Sequence, residues 1–417
     1  MVNAAALPKM IDLAIVGAGP QALTLVTHVL QKKKSMRNRF VVLDPSGQWL
    51  QQWQHQFAAY EIPHLRSPVV HHPDTNPHAL RAFAESRANE LFPPYDLPGT
   101  RLFQDFCQEV IRRWQLQDRV IPTQVEHLEP IRQQGRQRFQ LTLSNGQVLT
   151  ARRVVLAIAG GVPHLPDWAK ALPKTYPPER LCHSGQVDLR GLRLGGERIL
   201  IVGSGLTAGH LALGAIARRA HVMMMARRTF YEKLFDAEPG WLGPKYLKGF
   251  HAEPSWQTRW QMIRDARNGG SLTPAVLTKL RRLERDGKLS FYEQCEVQSA
   301  TWKETAWQVV CSHPGAHNCI THLPIDRIWL ATGSTLDVHN WLLLSAVRER
   351  YPLPTVQGLP VLDKHLRWPG CNLFIMGGAA ALQIGPVARN LFGAKLACDR
   401  IVPALIKENL SHFRVQA

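Results

Sequence analysis

Residues 11–30 read IDLAIVGAGPQALTLVTHVL, and residues 40–44 read FVVLD. The run 11–16 is apolar with a single charge, as a buried strand requires. It stops at Gly17-Ala18-Gly19-Pro20, and beyond it Ala22, Leu23, Leu25, Val26, Val29 and Leu30 recur at helical spacing. A strand, a glycine turn, a helix and a second strand ending in Asp44 make a βαβ unit. In Gly17-x-Gly19-x-x-Ala22 the first glycine permits the tight turn and the second lets a pyrophosphate reach the backbone. Ala22 lets the helix pack closely on the strand. The helix N-terminus adds free N–H groups and a partial positive charge. A carboxylate at Asp44 is placed to accept ribose hydroxyl hydrogen bonds. The expectation is a dinucleotide site made from Gly17, Gly19, Pro20, Gln21 and Asp44, against the plainer reading of an ordinary turn in an α/β sheet.

The pattern returns at residues 199–228, ILIVGSGLTAGHLALGAIARRAHVMMMARR. Gly203-x-Gly205-x-x-Ala208 opens the second helix, with Ser204, Leu206 and Thr207 supplying the turn and the first helical amides. Here the next strand ends in Arg227-Arg228. An acid in that place repels a 2′-phosphate, whereas arginine binds it through charge-assisted hydrogen bonds. This unit is therefore expected to take NADPH; the plainer reading is a pair of solvated arginines. Two nucleotide units in one chain imply an electron relay, with NADPH reducing a flavin.

The remaining composition fits a soluble enzyme. Apolar residues at 45% and charged residues at 20% are globular values and exclude a disordered chain. The net charge of +18 suits anionic cofactors or substrates, but no zinc-finger, RRM or helix-turn-helix signature accompanies it, so nucleic acid is not an expected partner. Seven cysteines without CxxC spacing argue against a disulfide framework and a redox dithiol, and point to a reducing, cytoplasmic setting. No signal peptide is evident in residues 1–10. The uncharged run 368–388 has membrane length, but three Pro/Gly pairs interrupt it, so it reads as strand, loop and helix start. His64, His71, His72 and His78 lack convergent metal-ligand spacing, and no metal is expected. Residues 48–101 read as a loop-rich cover over a site, 102–116 as a helix, Asn145-Gly146 as a hairpin turn, and 230–286 as a Trp-rich helical insert. Trp241, Trp256, Trp260 and Tyr246 read as core of that insert.

Several further segments carry a family resemblance. Gly17-Ala18-Gly19-Pro20, then Asp44, Trp49 and Trp53, resemble the FAD turn and flavin-flanking segment of class B flavoprotein monooxygenases. Pro73-Asp74-Thr75-Asn76-Pro77, the strand 154–159 with Gly160, and His183-Ser184 are similar to their later motifs. Asp326-x-x-x-Leu330-Ala331-Thr332-Gly333 is similar to the D-x-x-x-L-A-T-G pattern of the N-hydroxylating lysine and ornithine monooxygenases, and Gly377-Gly378, Gln383 and Gly385-Pro386 to their terminal FAD segment. Two motifs depart from the pattern. F-x-G-x-x-x-H is not intact before His183, and Leu65-Arg66-Ser67 replaces the Lys-Asp-Leu whose lysine holds the substrate amino acid.

The resemblance implies an α/β fold with two Rossmann-like domains. The FAD domain is expected at 1–190 and 325–417, and the NADPH domain at 191–324. Cofactor contacts are expected further from Trp49, Trp53, Val125, Ala331, Thr332, Gly333, Gly378, Gln383 and Ile384. The implied reaction is oxygenation of a small nitrogen, sulfur or carbonyl substrate by O₂ through a C4a-(hydro)peroxyflavin. His64 and Arg66 are the polar candidates for a chemical role. A flavoprotein reductase feeding a disulfide, quinone or protein acceptor, and a non-catalytic FAD/NADP sensor, are the alternatives.

Overall fold

The computed structural model describes residues 8–173, 175–267, 269–312 and 323–406. Cys319, one of the seven cysteines counted in the sequence, and the first seven residues lie outside them.

Each βαβ unit sits in a parallel sheet of its own. The first sheet has seven strands. Strand Met10–Val16 pairs in parallel with Phe40–Asp44 on one side and Val148–Leu156 on the other, so it is central and its Leu13, Ala14 and Ile15 are fully buried. Val148–Leu156 divides its far edge. Its first half pairs antiparallel with Arg136–Leu143, through the turn at Gly146, and its second half pairs in parallel with Leu373–Ile375. That second pairing brings the C-terminal part of the chain back to the first glycine turn. Helix Pro20–Lys32 starts with proline where no intrahelical N–H bond is lost, and it buries Ala22, Leu23, Leu25, Val26, Val29 and Leu30. Helix Leu391–Ile406 packs along it.

The second sheet has five strands, all parallel, in the order Leu181–His183, Arg327–Leu330, Arg198–Val202, His221–Met225 and Leu289–Tyr292. This corrects the expected boundaries. Leu181–His183 and Arg327–Leu330 were assigned to the FAD segments 1–190 and 325–417, yet their backbone hydrogen bonds lie in the second sheet. A buried parallel strand has the same apolar composition in either sheet, so composition cannot say which sheet it joins.

The insert 230–286 also divides. Helix Pro274–Arg285 packs on helix Leu206–Ala217, where Gly209 leaves room for Leu272 and Val276, and it is a crossover helix of the second sheet. The helices Pro244–Ala252 and Trp256–Arg267 instead join the first core through Leu247, Phe250 and Ile263. Trp241 is buried in that core, with Trp256, Trp260 and Tyr246 packed against it.

Helix Thr100–Arg113 stands where a helix was expected. Helix Gln51–Ala59 was not expected, because it is mostly polar and buries only Ala59. No helix of the described residues is long and apolar enough to cross a membrane.

Candidate active site

The first turn is held from three directions. Gly17 has φ +98°, and a Cβ there would sit 2.8 Å from the Ala157 carbonyl oxygen. Its N–H donates to Leu43 O at 2.8 Å. Asp44 Oδ2 accepts the Ala18 N–H at 2.9 Å, and Oδ1 accepts from Ser46 N and Oγ at 3.0 and 2.6 Å. Asp44 thus fastens the turn to the end of its neighbouring strand. Thr123 N donates to Asp44 O, and two residues further on the buried Val125 opens strand Val125–Gln133.

Helix Pro20–Lys32 has no side chain capping its N-terminus, which leaves its first amides facing the end of the sheet. Gln21 reaches across to the terminal segment, its Nε2 donating to Ala388 O and Asn390 O at 3.2 and 3.1 Å. Its Oε1 is buried without a partner among the described residues, as is Oε1 of Gln383, whose Nε2 donates to Leu362 O. The Gln21 acceptor, the uncapped helix and the glycine cradle lie together at the first turn. Gln383 and Ile384 lie just before Gly385, at φ +96°, in the segment that closes this place from the other side.

The second turn repeats the construction. Gly203 has φ +144°, and a Cβ there would overlap the Ala331 carbonyl oxygen. Ala331 N donates to Val202 O, so the residues following strand Arg327–Leu330 lie directly on the turn. Gly333 O accepts from His164 N and faces His183 Nε2, both at 2.9 Å, while Thr332 Oγ1 donates to His164 O. Ala331 therefore shapes the second turn, while Thr332, Gly333 and His183 tie the chain beyond it to His164 and to each other. Asp326, the first residue of the same motif, accepts the Arg198 N–H at 2.7 Å at the opposite end of the strands, which is a structural role.

The two arginines at the end of strand His221–Met225 differ. Arg227 is exposed. Arg228 Nη2 donates to Gly270 O at 3.0 Å, and its guanidinium lies 5.3 Å from the centre of the Tyr231 ring. Gly270, at φ +107°, rests on Gly205: a Cβ on Gly270 would be 3.2 Å from the Gly205 Cα. The loop carrying Gly269 and Gly270 is thus a lip over the second turn, and only glycine on both sides allows backbones this close.

Arg66 was expected to have a chemical role, and the geometry corrects this. Its Nε donates to Leu234 O at 2.8 Å, and its Nη2 to Lys233 O, Phe235 O and Ser271 Oγ at 2.6, 2.9 and 2.8 Å. Its Nη1 lies 3.5 Å from Asp236. A guanidinium with its N–H groups so occupied is a clamp joining the covering loop to the insert. His64 stacks on Phe92 at 4.9 Å with Nδ1 3.0 Å from Leu65 O, and it borders a cavity of about 230 Å³ together with Tyr60, Leu206, His210, Thr273 and Val276. This cavity runs along the flank of helix Leu206–Ala217. Burial drives the His210 pKa down to about 4, helped by the nearby charges of His64 and Lys279.

The two tryptophans expected at the flavin are turned into packing. Trp49 is 5% exposed and its Nε1 donates to Leu116 O. Trp53 packs on Phe57 and Phe103, with ring centres 4.1 and 5.3 Å away. The histidines of the covering loop point apart, His71 to Phe392 and His72 to Phe106.

A group absent from the sequence reading lies between Gly378 and the insert. Asp236 is bridged by Arg267 Nη2 at 2.6 Å and by Arg66, and Arg267 Nη1 donates to Pro386 O at 3.1 Å. Arg389 joins them, its side chain so close across Gly378 that a Cβ there would come within 2.9 Å of the Arg389 Nε. Arg389 is the first charge after the uncharged run 368–388, which was the one available signal.

The sequence profile described as L-lysine 6-monooxygenase/L-ornithine 5-monooxygenase matches residues 9–335. The chain belongs to this monooxygenase family. Solved structures of similar fold include the reduced ornithine hydroxylase PvdA of Pseudomonas aeruginosa, at TM-score 0.77 and 18% identity over 95% of this chain and 98% of that one. The ornithine N-hydroxylase KtzI of Kutzneria sp. 744, with reduced FAD, NADP⁺ and L-ornithine, gives 0.75 and 17% over 95% and 99%. The FAD-bound cadaverine monooxygenase DfoA of Erwinia amylovora gives 0.74 and 15% over 98% and 100%. No curated protein matches the chain. Members of the lysine/ornithine monooxygenase family are NADPH-dependent flavoproteins, so this chain is an oxidoreductase with FAD and NADPH as its cofactors. The orphaned Gln21 and Gln383 acceptors and the Gly17 cradle fit FAD, and the Gly203 cradle with Arg227 beside it fits NADPH.

Proposed function

We propose that this family member N-hydroxylates a small aliphatic amine, consuming NADPH and O₂. The observation that carries the reading is the pair of glycine cradles, each closed against the end of a neighbouring strand at Ala157 or Ala331. Bound FAD supplies the acceptor for the NADPH hydride and the place where O₂ is activated.

The residues hold and shield. Gly17, Gly19, Pro20 and Gln21 receive the FAD pyrophosphate, with Asp44 and Val125 towards the ribose and adenine. Gly378, Gln383 and Ile384 close on the flavin end. Gly203, Ser204, Gly205, Leu206 and Thr207 receive the NADPH pyrophosphate, and Arg227 its 2′-phosphate. Ala331, Thr332 and Gly333 brace that turn. Arg66 excludes water by holding the insert against the covering loop. Neither His64 nor Arg66 is assigned a proton transfer.

The reductase alternative lacks a suitable thiol among the described residues. Cys107, Cys295, Cys311, Cys371 and Cys398 are buried, and desolvation pushes the part-buried Cys182 up to about 11. A thiol held protonated is a poor partner in disulfide exchange.

The test uses the FAD-loaded protein with NADPH, air and a panel of primary amines, measuring NADPH loss and hydroxylamine together. Hydroxylamine in near-stoichiometric yield with one amine supports the reading. Reduction of a quinone or disulfide with no hydroxylamine from any amine sinks it.

A further inference from the structure

The cavity of about 230 Å³ beside helix Leu206–Ala217 lies apart from the cofactor cradles. Of the second glycine turn only Leu206 borders it; Gly203, Ser204, Gly205 and Thr207 do not, and neither do Gly269 and Gly270 of the lip. Gly378, Gln383 and Ile384, at the flavin end, are also absent from its walls. Leu206, His210, Leu213, Gly214 and Ala217 recur at helical spacing, so the cavity follows one face of that helix. The covering loop between Tyr60 and Arg66 and the start of helix Pro274–Arg285 form its other walls.

Polar groups in these walls lack partners. His210 is 8% exposed and Thr273 is 5% exposed, and neither the imidazole nor the hydroxyl makes a hydrogen bond among the described residues. Neither is a sealed interior atom, so both open onto the cavity that they line. Thr273 precedes its helix without capping it, which leaves the Ala275 and Val276 amides without an intrahelical partner at the same wall. The charges agree with this. Lys279 is exposed and makes no ion pair among the described residues. Glu61, the one carboxylate among the lining residues, is held by Arg218 at 2.7 and 3.0 Å. Burial first, then the positive charges of His64 and Lys279, keep His210 uncharged, so the cavity is short of an anion.

We propose that this cavity binds a small organic anion as an effector, its charged head on His210, Thr273 and Lys279 and a short apolar body along Leu213, Ala217 and Val276. Pockets for drug-sized molecules span about 300–1,000 Å³, so the occupant is smaller, of the size of a short-chain carboxylate. It is not the amine that is oxidised, because no residue assigned to the flavin end lines the cavity. Helix Leu206–Ala217 connects it to the chemistry, since that helix starts at the NADPH turn.

The experiment uses the FAD-loaded full chain saturated with NADP⁺, so that both nucleotide turns are filled. Ligand-observed NMR gives dissociation constants for butyrate and hexanoate, and for 1-butanol and 1-hexanol as their uncharged counterparts. The carboxylates are expected to bind at least about tenfold tighter than the alcohols, and hexanoate tighter than butyrate. Lys279→Glu changes an exposed side chain and Thr273→Val keeps the side-chain shape; each is expected to weaken hexanoate about tenfold, and His210→Leu by more. FAD content and the NADPH KM stay as in the unaltered protein. Should His210→Leu fail to fold, the other two variants carry the test. Any of four results overturns the proposal: no binding of either carboxylate, equal binding of the alcohols, hexanoate affinity unchanged in the variants, or a parallel loss of NADPH affinity, which makes the cavity an extension of the cofactor site.

Discussion

Gly17 and Gly203 solve one steric problem twice. Each turns the chain at positive φ while a carbonyl oxygen of the adjacent strand's extension lies where a side chain would begin. Alanine at either site incurs the backbone strain, about 1–2 kcal/mol, and the overlap in addition. Gly17→Ala is therefore expected to yield protein that purifies with little FAD. Gly203→Ala should keep its FAD but lose at least about tenfold in NADPH-driven flavin reduction, while dithionite still reduces it. Stopped-flow bleaching of the flavin separates the two. Arg227 and Arg228 make a second pair that looks alike in sequence and is unlike in space. Removing the exposed Arg227 should raise the NADPH KM about 10- to 100-fold, the value of a charge-assisted contact, and leave the NADH KM unchanged. Removing Arg228, which supports Gly270, should weaken both cofactors alike. Equal effects of Arg227→Ala on NADPH and NADH would refute the 2′-phosphate assignment.

The covering loop and the insert are joined at one side chain. Arg66 places hydrogen bonds on three successive carbonyls, those of Lys233, Leu234 and Phe235, and on Ser271 two residues beyond Gly269. Lysine has one nitrogen and lacks the planar fork needed to reach all of them. Both Arg66→Ala and Arg66→Lys are expected to lose about 2–4 kcal/mol of local stability, since bonds to a charged group are worth about 1.5–3 kcal/mol each but are partly replaced by water. The lip at Gly270 then loosens, and NADPH consumption should outrun hydroxylamine formation, with hydrogen peroxide as the excess product. A peroxide assay beside the product assay checks this; tight coupling in both variants would show that the clamp does not control water access.

Across the whole molecule, buried histidines make stability depend on pH. Desolvation brings His210 and His71 down to about 4 and lowers His28 and His72. An unfolded chain has histidines near their ordinary value of about 6.5, so between these limits it binds more protons than the folded one. Stability is therefore complete above about pH 6.5 and falls as pH drops towards about 4. Urea midpoints at successive pH values should show this slope, and His210→Gln should flatten it. The charge of +18 acts at the same scale by speeding NADPH association at low ionic strength, an effect that salt screens away.

The sequence by itself determined both glycine turns, the strand and helix that flank each, the Asp44 and Arg227 ends that distinguish them, and the hairpin at Gly146. These features are local: a turn at positive φ, or an apolar face at helical spacing, is specified by residues within one βαβ unit. It also marked the uncharged run 368–388 as strand and loop, because proline and glycine act on their own neighbours. The tertiary structure alone decided which sheet receives Leu181–His183 and Arg327–Leu330. It alone divided the insert between two cores, turned Arg66 from a chemical candidate into a clamp and Trp49 into packing, and set Arg389 against Gly378. Each of these depends on contacts that local sequence does not specify, such as those of Trp49 with Leu116 and Arg66 with Leu234. A guanidinium has the same sequence signature whether it faces carbonyls or a carboxylate.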